Sequence, residues 1–295
     1  MMQYHVPVLL EESLDGLQIR SDGIYIDATF GGGGHARAIV NKLDDNGHLF
    51  AFDQDEESRK NLWEDQRLTF VLSNFRYIRE YMAYYHIDSV DGILADLGVS
   101  SWQIDQETRG FSYRTQQRLD MRMNQSQAVT AADILQQYNE VALVRMFSAH
   151  AGIRNARTLA VEICKARATI RITDAQTLMQ VIAPCIRGNR MRYLSQVFQA
   201  LRIEVNGEDS ALADFLKAAG ELLKPEGRLV VISYHSGEDR LVKQYVKGEY
   251  EDAGGRSFGF KQITKKPLIP DDKQIKENNR ARSALLRIAE KYWLT

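Results

Sequence analysis

The feature that most constrains this chain is a run of four glycines that closely follows a short apolar segment. Ile24–Asp27 alternates between the faces of a strand, Gly31–Gly34 follow, and apolar residues at helical spacing then occupy Ala36–Leu43. This order predicts a strand, a tight glycine turn and the start of a helix. Backbone N–H groups at a helix start are free to face a polar ligand. The stretch therefore predicts a loop that binds a nucleotide-type cofactor.

The same alternation of strand and helix continues along the chain. Further apolar segments, each four to seven residues long and followed by polar residues or a turn, are Gly47–Phe52, Leu68–Leu72, Val90–Ala95 and Arg228–Ile232. Strands separated by helices predict a parallel sheet, and ligands bind beyond the carboxyl ends of its strands. Asp27, Asp53, Phe75 and Asp96 all fall at that edge. In such folds an acid at the position of Asp53 accepts hydrogen bonds from ribose hydroxyls. Alternatively, Asp53 could cap a helix that begins near Glu56.

Helical spacing replaces strand patterns over residues 106–208. Four apolar stripes indicate helices, and they are formed by Ala131, Ile134 and Leu135; Val141, Val144 and Phe147; Leu159, Ile163 and Ala166; and Leu194, Phe198, Leu201 and Val205. We expect an α/β domain made of residues 1–105 and 209–295, with an inserted all-α domain at residues 106–208. Lys224–Gly227 should form a turn, and Ser283–Ala289 could be a closing strand.

Composition excludes several classes of protein. The 295 residues are 44% hydrophobic and 26% charged, which is typical of a soluble globular protein. Neither a membrane-length apolar run nor a signal-peptide pattern is present. The two cysteines have no zinc spacing and suggest no disulfide framework, so we expect a cytoplasmic protein without a metal. The net charge is −1, but residues 256–291 carry ten Lys and Arg against four Asp and Glu.

Two cofactors fit the glycine loop. Gly31-x-Gly33-x-x-Ala36 matches the dinucleotide pattern, which alone is weak evidence for NAD. S-adenosylmethionine carries a sulfonium cation and no pyrophosphate, and a cation favours acids around its pocket. Asp27 and Asp96 supply such acids, so the residues favour S-adenosylmethionine and leave a nicotinamide-dependent oxidoreductase as the alternative.

Eight stretches, which span nearly the whole chain in order, carry a specific resemblance. They are residues 5–10 (HVPVLL), 27–35 (DATFGGGGH), 91–101 (DGILADLGVSS), 109–114 (RGFSYR), 119–123 (LDMRM), 198–203 (FQALRI), 233–240 (SYHSGEDR) and 279–287 (NRARSALLR). With them the chain resembles the bacterial 16S rRNA (cytosine-N4) methyltransferase H family. The resemblance implies a Rossmann-like class I methyltransferase sheet with a helical insertion. It also implies methyl transfer to the N4 amine of a decoding-region cytidine.

The resemblance also assigns cofactor contacts in this sequence. They are Gly33, Gly34, His35, Asp53, Phe75, Asp96 and Gln103. His35 and Gln103 rest on the resemblance alone, whereas the other five agree with the reasoning from the residues. The chain departs from the family pattern at Trp102 and at Ala151–Ile153, and most such departures lie in or near the insertion, where they weaken the expectation of RNA contact.

Methyl transfer to a cytosine amine needs a hydrogen-bond acceptor, since the nitrogen must shed a proton. We expect Asp96 to accept this hydrogen bond, with Ser100 and Ser101 shaping the base pocket. The alternative is that Asp96 contacts only the cofactor.

Arginines interleaved with aromatic residues follow the Asp96 loop. Such a pattern suits phosphate contacts and base stacking, so we expect RNA to contact Arg109, Phe111, Arg114, Arg118 and Arg122. Salt bridges to Asp105, Glu107 and Asp120 are the alternative explanation. His235 and Arg240, after the fifth strand, are further candidates for RNA contact, again with a structural network as the alternative, and the basic tail is the third.

The expected partner is 16S rRNA within the small ribosomal subunit, with neither a membrane nor a metal, and a homodimer is compatible with the sequence. A second alternative function is a non-catalytic RNA-binding assembly factor that retains a cofactor fold without activity.

Overall fold

The chain divides into two compact units. The computed structural model describes residues 7–100, 103–104, 106, 108–113 and 118–294. One unit comprises Met1–Gly98 and Asp209–Thr295, and the other comprises Val99–Glu208. The sequence places this division a few residues later, after residue 105. In the described part of the chain, no helix is both long and apolar enough to cross a lipid bilayer.

The first unit is built on one eight-stranded sheet. Its strands are Ile24–Asp27 (β1), His48–Asp53 (β2), Leu68–Leu72 (β3), Val90–Asp96 (β4), Leu223–Ser233 (β5), Glu249–Glu251 (β6), Ser257–Gln262 (β7) and Leu285–Trp293 (β8). Their spatial order is β3-β2-β1-β4-β5-β8-β7-β6. The first five strands pair in parallel, so the predicted Rossmann-like α/β fold is confirmed.

Three antiparallel strands extend the sheet beyond β5. The β8 strand pairs with β5 and β7, and β6 pairs with β7. The predicted closing strand begins at Leu285 and runs to Trp293, beyond the predicted end at Ala289. The predicted turn Lys224–Gly227 lies within β5 as an irregularity, because Leu223 pairs with Val90 and Arg228 pairs with Gly92.

Helices cover both faces of the sheet. They are Leu10–Leu17 (α1), Gly34–Val40 (α2), Ile78–Tyr84 (α3), then, after the second unit, Glu208–Leu222 (α9), Ser236–Tyr245 (α10) and Asp272–Glu277 (α11). Successive side chains of β1 point to opposite faces of the sheet. Tyr25 therefore packs with α1 and α2, while Ile26 packs with α3, α9 and α10 on the other face.

The regular elements in the described part of the second unit are helices with their own core. They are Ala131–Gln137 (α4), Glu140–Ala151 (α5), Ala156–Ala166 (α6), Ala175–Ile182 (α7) and Arg190–Asn206 (α8). Val141, in the second of the predicted apolar stripes, is not a core residue, since it is 76% exposed. The buried face of α5 consists of Leu143, Met146 and Phe147, and Val141 lies off that stripe in the first turn.

Candidate active site

Three carboxylates lie at the carboxyl ends of neighbouring strands. Asp27 ends β1, Asp53 ends β2 and Asp96 ends β4, and β1 lies between the other two strands. Burial raises the pKa of Asp27 and of Asp96, the charge of Asp53 adds to the shift of Asp27, and the charge of Asp27 adds to the shift of Asp96. The three acids thus form one electrostatically coupled group at the edge where the sequence predicts a ligand.

Asp27 is the most enclosed of the three acids. It is 1% exposed, and its Oδ1 accepts a hydrogen bond from the Thr29 N–H at 3.0 Å. Its Oδ2 is buried and has no hydrogen-bond partner among the described residues. Burial, with a contribution from Asp53, raises the pKa of Asp27 to about 7. A buried acceptor without a partner is costly, so this atom suits a cationic or hydrogen-bonding ligand.

Asp53 fastens the glycine loop to the second strand. Its Oδ2 accepts from the Gly31 N–H and its Oδ1 accepts from the Asp55 N–H, both at 2.8 Å. The helix-cap alternative is wrong for Asp53, because Asp55 caps the 3₁₀ helix Glu56–Asn61. Burial raises the pKa of Asp53 to about 6. Contact between Asp53 and a ribose stays a prediction.

The glycine loop adopts backbone conformations that require glycine. Gly31 and Gly33 have φ angles of +50° and +75°, in the left-handed region where a side chain is strained. A Cβ on Gly34 would lie 2.3 Å from the Pro7 side chain, whereas a Cβ on Gly32 would meet no atom within 4 Å. The loop therefore packs tightly on one side and is open at Gly32.

His35 is a buried, neutral imidazole. Its Nε2 lies 3.1 Å from the Val8 carbonyl oxygen, and since a carbonyl only accepts, Nε2 carries the hydrogen. Burial lowers the pKa of His35 to about 4, so Nδ1 is an acceptor at neutral pH. This atom lies 3.9 Å from Asp96 Oδ2. When Asp96 is ionised, two acceptors face each other, which is an arrangement that a donor between them would stabilise.

Asp96 is held by residues from two other strand ends. Its backbone N–H donates to Thr29 Oγ1 at 2.6 Å, and its Oδ1 accepts from the Tyr234 hydroxyl at 2.8 Å. Burial raises the pKa of Asp96 to about 7, Tyr234 opposes this shift, and Asp27 and Glu238 add to it. Tyr234 is absent from the predicted site residues although it lies in the stretch 233–240, because neither its spacing nor the resemblance assigns it a role.

Phe75 lies beyond the end of β3 and begins the 3₁₀ turn Phe75–Tyr77. Its ring packs edge-on against Phe215 of α9, with centroids 5.2 Å apart. It is half-buried, and its role beside a cofactor stays a prediction.

Ser100 and Gln103 are predicted site residues at the start of the second unit. The Ser100 N–H donates to Gln103 Oε1 at 3.0 Å, and the Gln103 N–H donates to Ser100 Oγ at 3.2 Å. The pair stabilises a turn at the start of this unit. Their roles at the base and the cofactor stay predictions, and Ser101, Arg114 and Trp102 lie outside the described residues.

Two predicted RNA contacts have structural roles inside the second unit. Arg109 is 3% exposed, and its guanidinium donates to the carbonyl oxygens of Arg122 and Met123, both at 2.9 Å. Arg122 forms a bidentate pair with Asp120, at 2.8 and 2.7 Å. Both fit the salt-bridge and structural alternative better than direct contact with RNA. Phe111 is half-buried against the core, and Arg118 is exposed.

The predicted RNA contacts after β5 also divide into residues with structural roles and exposed residues. His235 caps α10, because its Nδ1 accepts from the Glu238 N–H at 3.4 Å, whereas Arg240 is exposed. In the basic tail, Arg287 and Lys291 are buried. Arg287 pairs with Asp239, and Lys291 donates to the Leu223 carbonyl oxygen. The prediction that the tail binds RNA is therefore wrong for these two residues.

Comparison with known proteins decides the family. Residues 2–292 match the model of the MraW methylase family. The chain belongs to the MraW methylase family. It is 49% identical to a Phocaeicola vulgatus protein over 98% of this chain and 97% of the relative. It is 48% identical to proteins of Bacteroides fragilis and Bacteroides thetaiotaomicron, again over 98% of this chain. All three relatives are named ribosomal RNA small subunit methyltransferase H.

Proposed function

We propose that this chain transfers a methyl group from S-adenosylmethionine to the N4 amine of a cytidine in the decoding region of 16S rRNA, within the small ribosomal subunit. Family membership supports methyl transfer, and the names of the relatives support small-subunit rRNA as the substrate. The observation that carries the proposal is the coupled group of Asp27, Asp53 and Asp96 at the strand ends.

The residues at this edge fit a cationic cofactor. S-adenosylmethionine carries an ammonium and a sulfonium, and either charge lowers the cost of ionising acids whose pKa burial has raised. The partnerless Asp27 Oδ2 offers an acceptor, and Gly32 leaves the loop open. The pyrophosphate of a dinucleotide would add negative charge beside three acids, which disfavours the oxidoreductase alternative.

Residues of the first unit that would hold the cofactor are Gly33, Gly34, His35, Asp53, Phe75 and Asp96. When bound, the cofactor supplies an electrophilic methyl group. The protein holds the cytosine amine in line with it, which requires the base to be unpaired or flipped out of its stack. No residue needs to form a covalent bond to the base.

Asp96 is the proposed acceptor for the departing proton. Its Oδ1 is engaged by Tyr234, so Oδ2 is the atom that accepts a hydrogen bond from the N4–H. Burial raises the pKa of Asp96, and a raised pKa makes the ionised carboxylate a stronger base, which suits a group that must accept a proton and then hold it. Ser100 and Ser101 stay predicted contacts of the base.

Methyl transfer to small subunits from a strain that lacks this enzyme tests the function. We expect labelled methyl groups on 16S rRNA, located at a cytidine N4 by mass spectrometry. RNA binding without transfer would instead indicate the non-catalytic assembly factor, and a titration with NADH that gave tight binding would indicate the oxidoreductase.

Asp96→Asn tests the role of the acceptor. The amide retains the shape of the side chain but cannot take up the proton. We expect the single-turnover rate at saturating cofactor to fall about 100-fold or more, with a much smaller change in cofactor affinity measured by calorimetry. Equal single-turnover rates in the two proteins would contradict this role for Asp96.

A further inference from the structure

The hydroxyl of Tyr234 is the side-chain donor to Asp96 in the described part of the chain. Tyr234 directly follows β5, and its hydroxyl lies 2.8 Å from Asp96 Oδ1. Its own backbone N–H donates to Glu238 Oε2 at 2.8 Å, in the capping box that begins α10. The tyrosine is thus anchored at its backbone while its hydroxyl reaches the carboxylate on β4.

This hydrogen bond distinguishes the two oxygens of Asp96. Oδ1 is occupied by Tyr234, whereas Oδ2 faces the acceptor Nδ1 of His35 at 3.9 Å. A rotation that turned the plane of the carboxylate away from its present orientation would break the bond to Tyr234. We propose that Tyr234 is a positioning residue, which fixes the Asp96 carboxylate so that Oδ2 is the oxygen offered to the target amine. The inference rests on the proposed function, in which Asp96 accepts the hydrogen bond from N4–H.

The Tyr234 hydroxyl also affects the pKa of Asp96. The groups that face this carboxylate are Asp27 from β1, neutral His35 from α2, and Tyr234 and Glu238 from the end of β5 and from α10. Of these, Tyr234 lowers the pKa of Asp96, while Asp27 and Glu238 raise it. Burial and Asp96 raise the pKa of Tyr234 far above its ordinary value, so the hydroxyl keeps its proton and always donates.

Tyr234→Phe removes the donor and keeps the ring. The measurement is the pH dependence of the single-turnover rate at saturating cofactor. Loss of a hydrogen bond to the ionised form should raise the pKa of Asp96 by about one pH unit, so the acid limb of the profile moves to higher pH by that amount. At neutral pH we also expect the rate to fall about tenfold, while the cofactor dissociation constant changes by less than about threefold.

Tyr250→Phe is the matched control. Its hydroxyl donates to the Tyr245 carbonyl oxygen at 2.8 Å, and it lies on β6 at the sheet edge away from β4. The control variant loses the same atom and an equally short hydrogen bond. It should have the rate and pH profile of the unaltered protein.

A titration of the Asp96 carboxyl by ¹³C NMR separates this inference from the proposed function. The cofactor-free protein and its Tyr234→Phe variant are compared without any turnover. A rise of about one unit in the pKa of Asp96 supports the inference even if the unaltered protein transfers no methyl group, in which case the proposed function alone fails. An unchanged titration, or a variant that loses only cofactor affinity while its saturated rate is unaltered, would overturn the inference.

Discussion

The ionised form of Asp27 is buried, and the hydrogen bond from the Thr29 N–H offsets only part of the cost of burial, so its negative charge is poorly stabilised. Its pKa is raised from 3.8 to about 7, so the folded state holds a proton that the unfolded state has lost between these values. Stability that is fully present below about pH 4 is therefore lost as the pH rises through about 7. Asp53 and Asp96 act in the same direction. The cofactor-free protein should thus become less stable toward neutral pH.

Asp27→Asn should remove much of this loss. We expect the free energy of unfolding of the cofactor-free variant at pH 8 to exceed that of the unaltered protein by about 1–4 kcal/mol, and the difference to shrink toward pH 5. Urea denaturation across this range measures it. Asp22→Asn, at an exposed position with a 58% accessible side chain, should change neither value. If the free energy of unfolding of the Asp27 variant had the same pH dependence as that of the unaltered protein, the charge of Asp27 would not be the cause of the loss.

Functional-site residues that occur in a recurring sequence pattern can be predicted from the sequence, whereas isolated functional-site residues cannot. Asp27, Asp53 and Asp96 are predictable because each ends an apolar segment and parallel strands end at one edge. His35 follows only from the family resemblance, since position alone makes it a residue at a helix start. Tyr234 becomes visible only when its hydroxyl is seen to reach a carboxylate on another strand.

A buried ion pair joins β8 to α10. Arg287 Nε and Nη2 donate to the carboxylate of Asp239 at 2.7 and 3.0 Å, and the Arg287 side chain is 6% exposed. Arg287→Ala leaves a partly buried carboxylate without its partner. We expect the free energy of unfolding to fall by about 3 kcal/mol.

Lys261→Ala on β7 is the control for the Arg287 prediction. Its side chain is 69% exposed and its Nζ lies 3.9 Å from Glu290, so the loss should stay below about 0.5 kcal/mol. Denaturation curves that gave equal losses for the two variants would refute the structural role of Arg287. Both residues lie in the same basic tail, but the side chain of Arg287 is buried and that of Lys261 is exposed.

At the scale of elements, periodicity predicts the first five strands and the helices α2, α4, α5, α6 and α8, whereas α7 and α10 are absent from the sequence prediction. The hairpin of β6 and β7 is absent from the sequence prediction, because its residues fall in a segment dominated by charge. The alternation of Phe258 and Phe260, both buried in the core beside β8, is the signal that could have revealed β7. The strand order beyond β5 depends on long-range pairing, which local patterns do not encode.

For the whole molecule, a net charge of −1 means that RNA binding must depend on local basic groups and not on overall attraction. Arg109, Arg122, Arg287 and Lys291 are engaged within the protein. Arg118 of the second unit and Arg240 of the first are exposed, and they remain the proposed phosphate contacts. Each phosphate contact releases counterions, so binding through them weakens as salt rises.

Arg118→Gln and Arg240→Gln should each weaken RNA binding and reduce the slope of log affinity against log salt by about one. Binding of small-subunit rRNA, measured at several salt concentrations, gives these slopes. Arg20→Gln is the control, because Arg20 is exposed and precedes β1, at the amino edge of the sheet and away from the candidate site. A reduced slope in both variants would mean that each unit contributes to binding. If only Arg118→Gln reduced it, RNA contact would be confined to the helical unit, and slopes unchanged in both would refute the assignment.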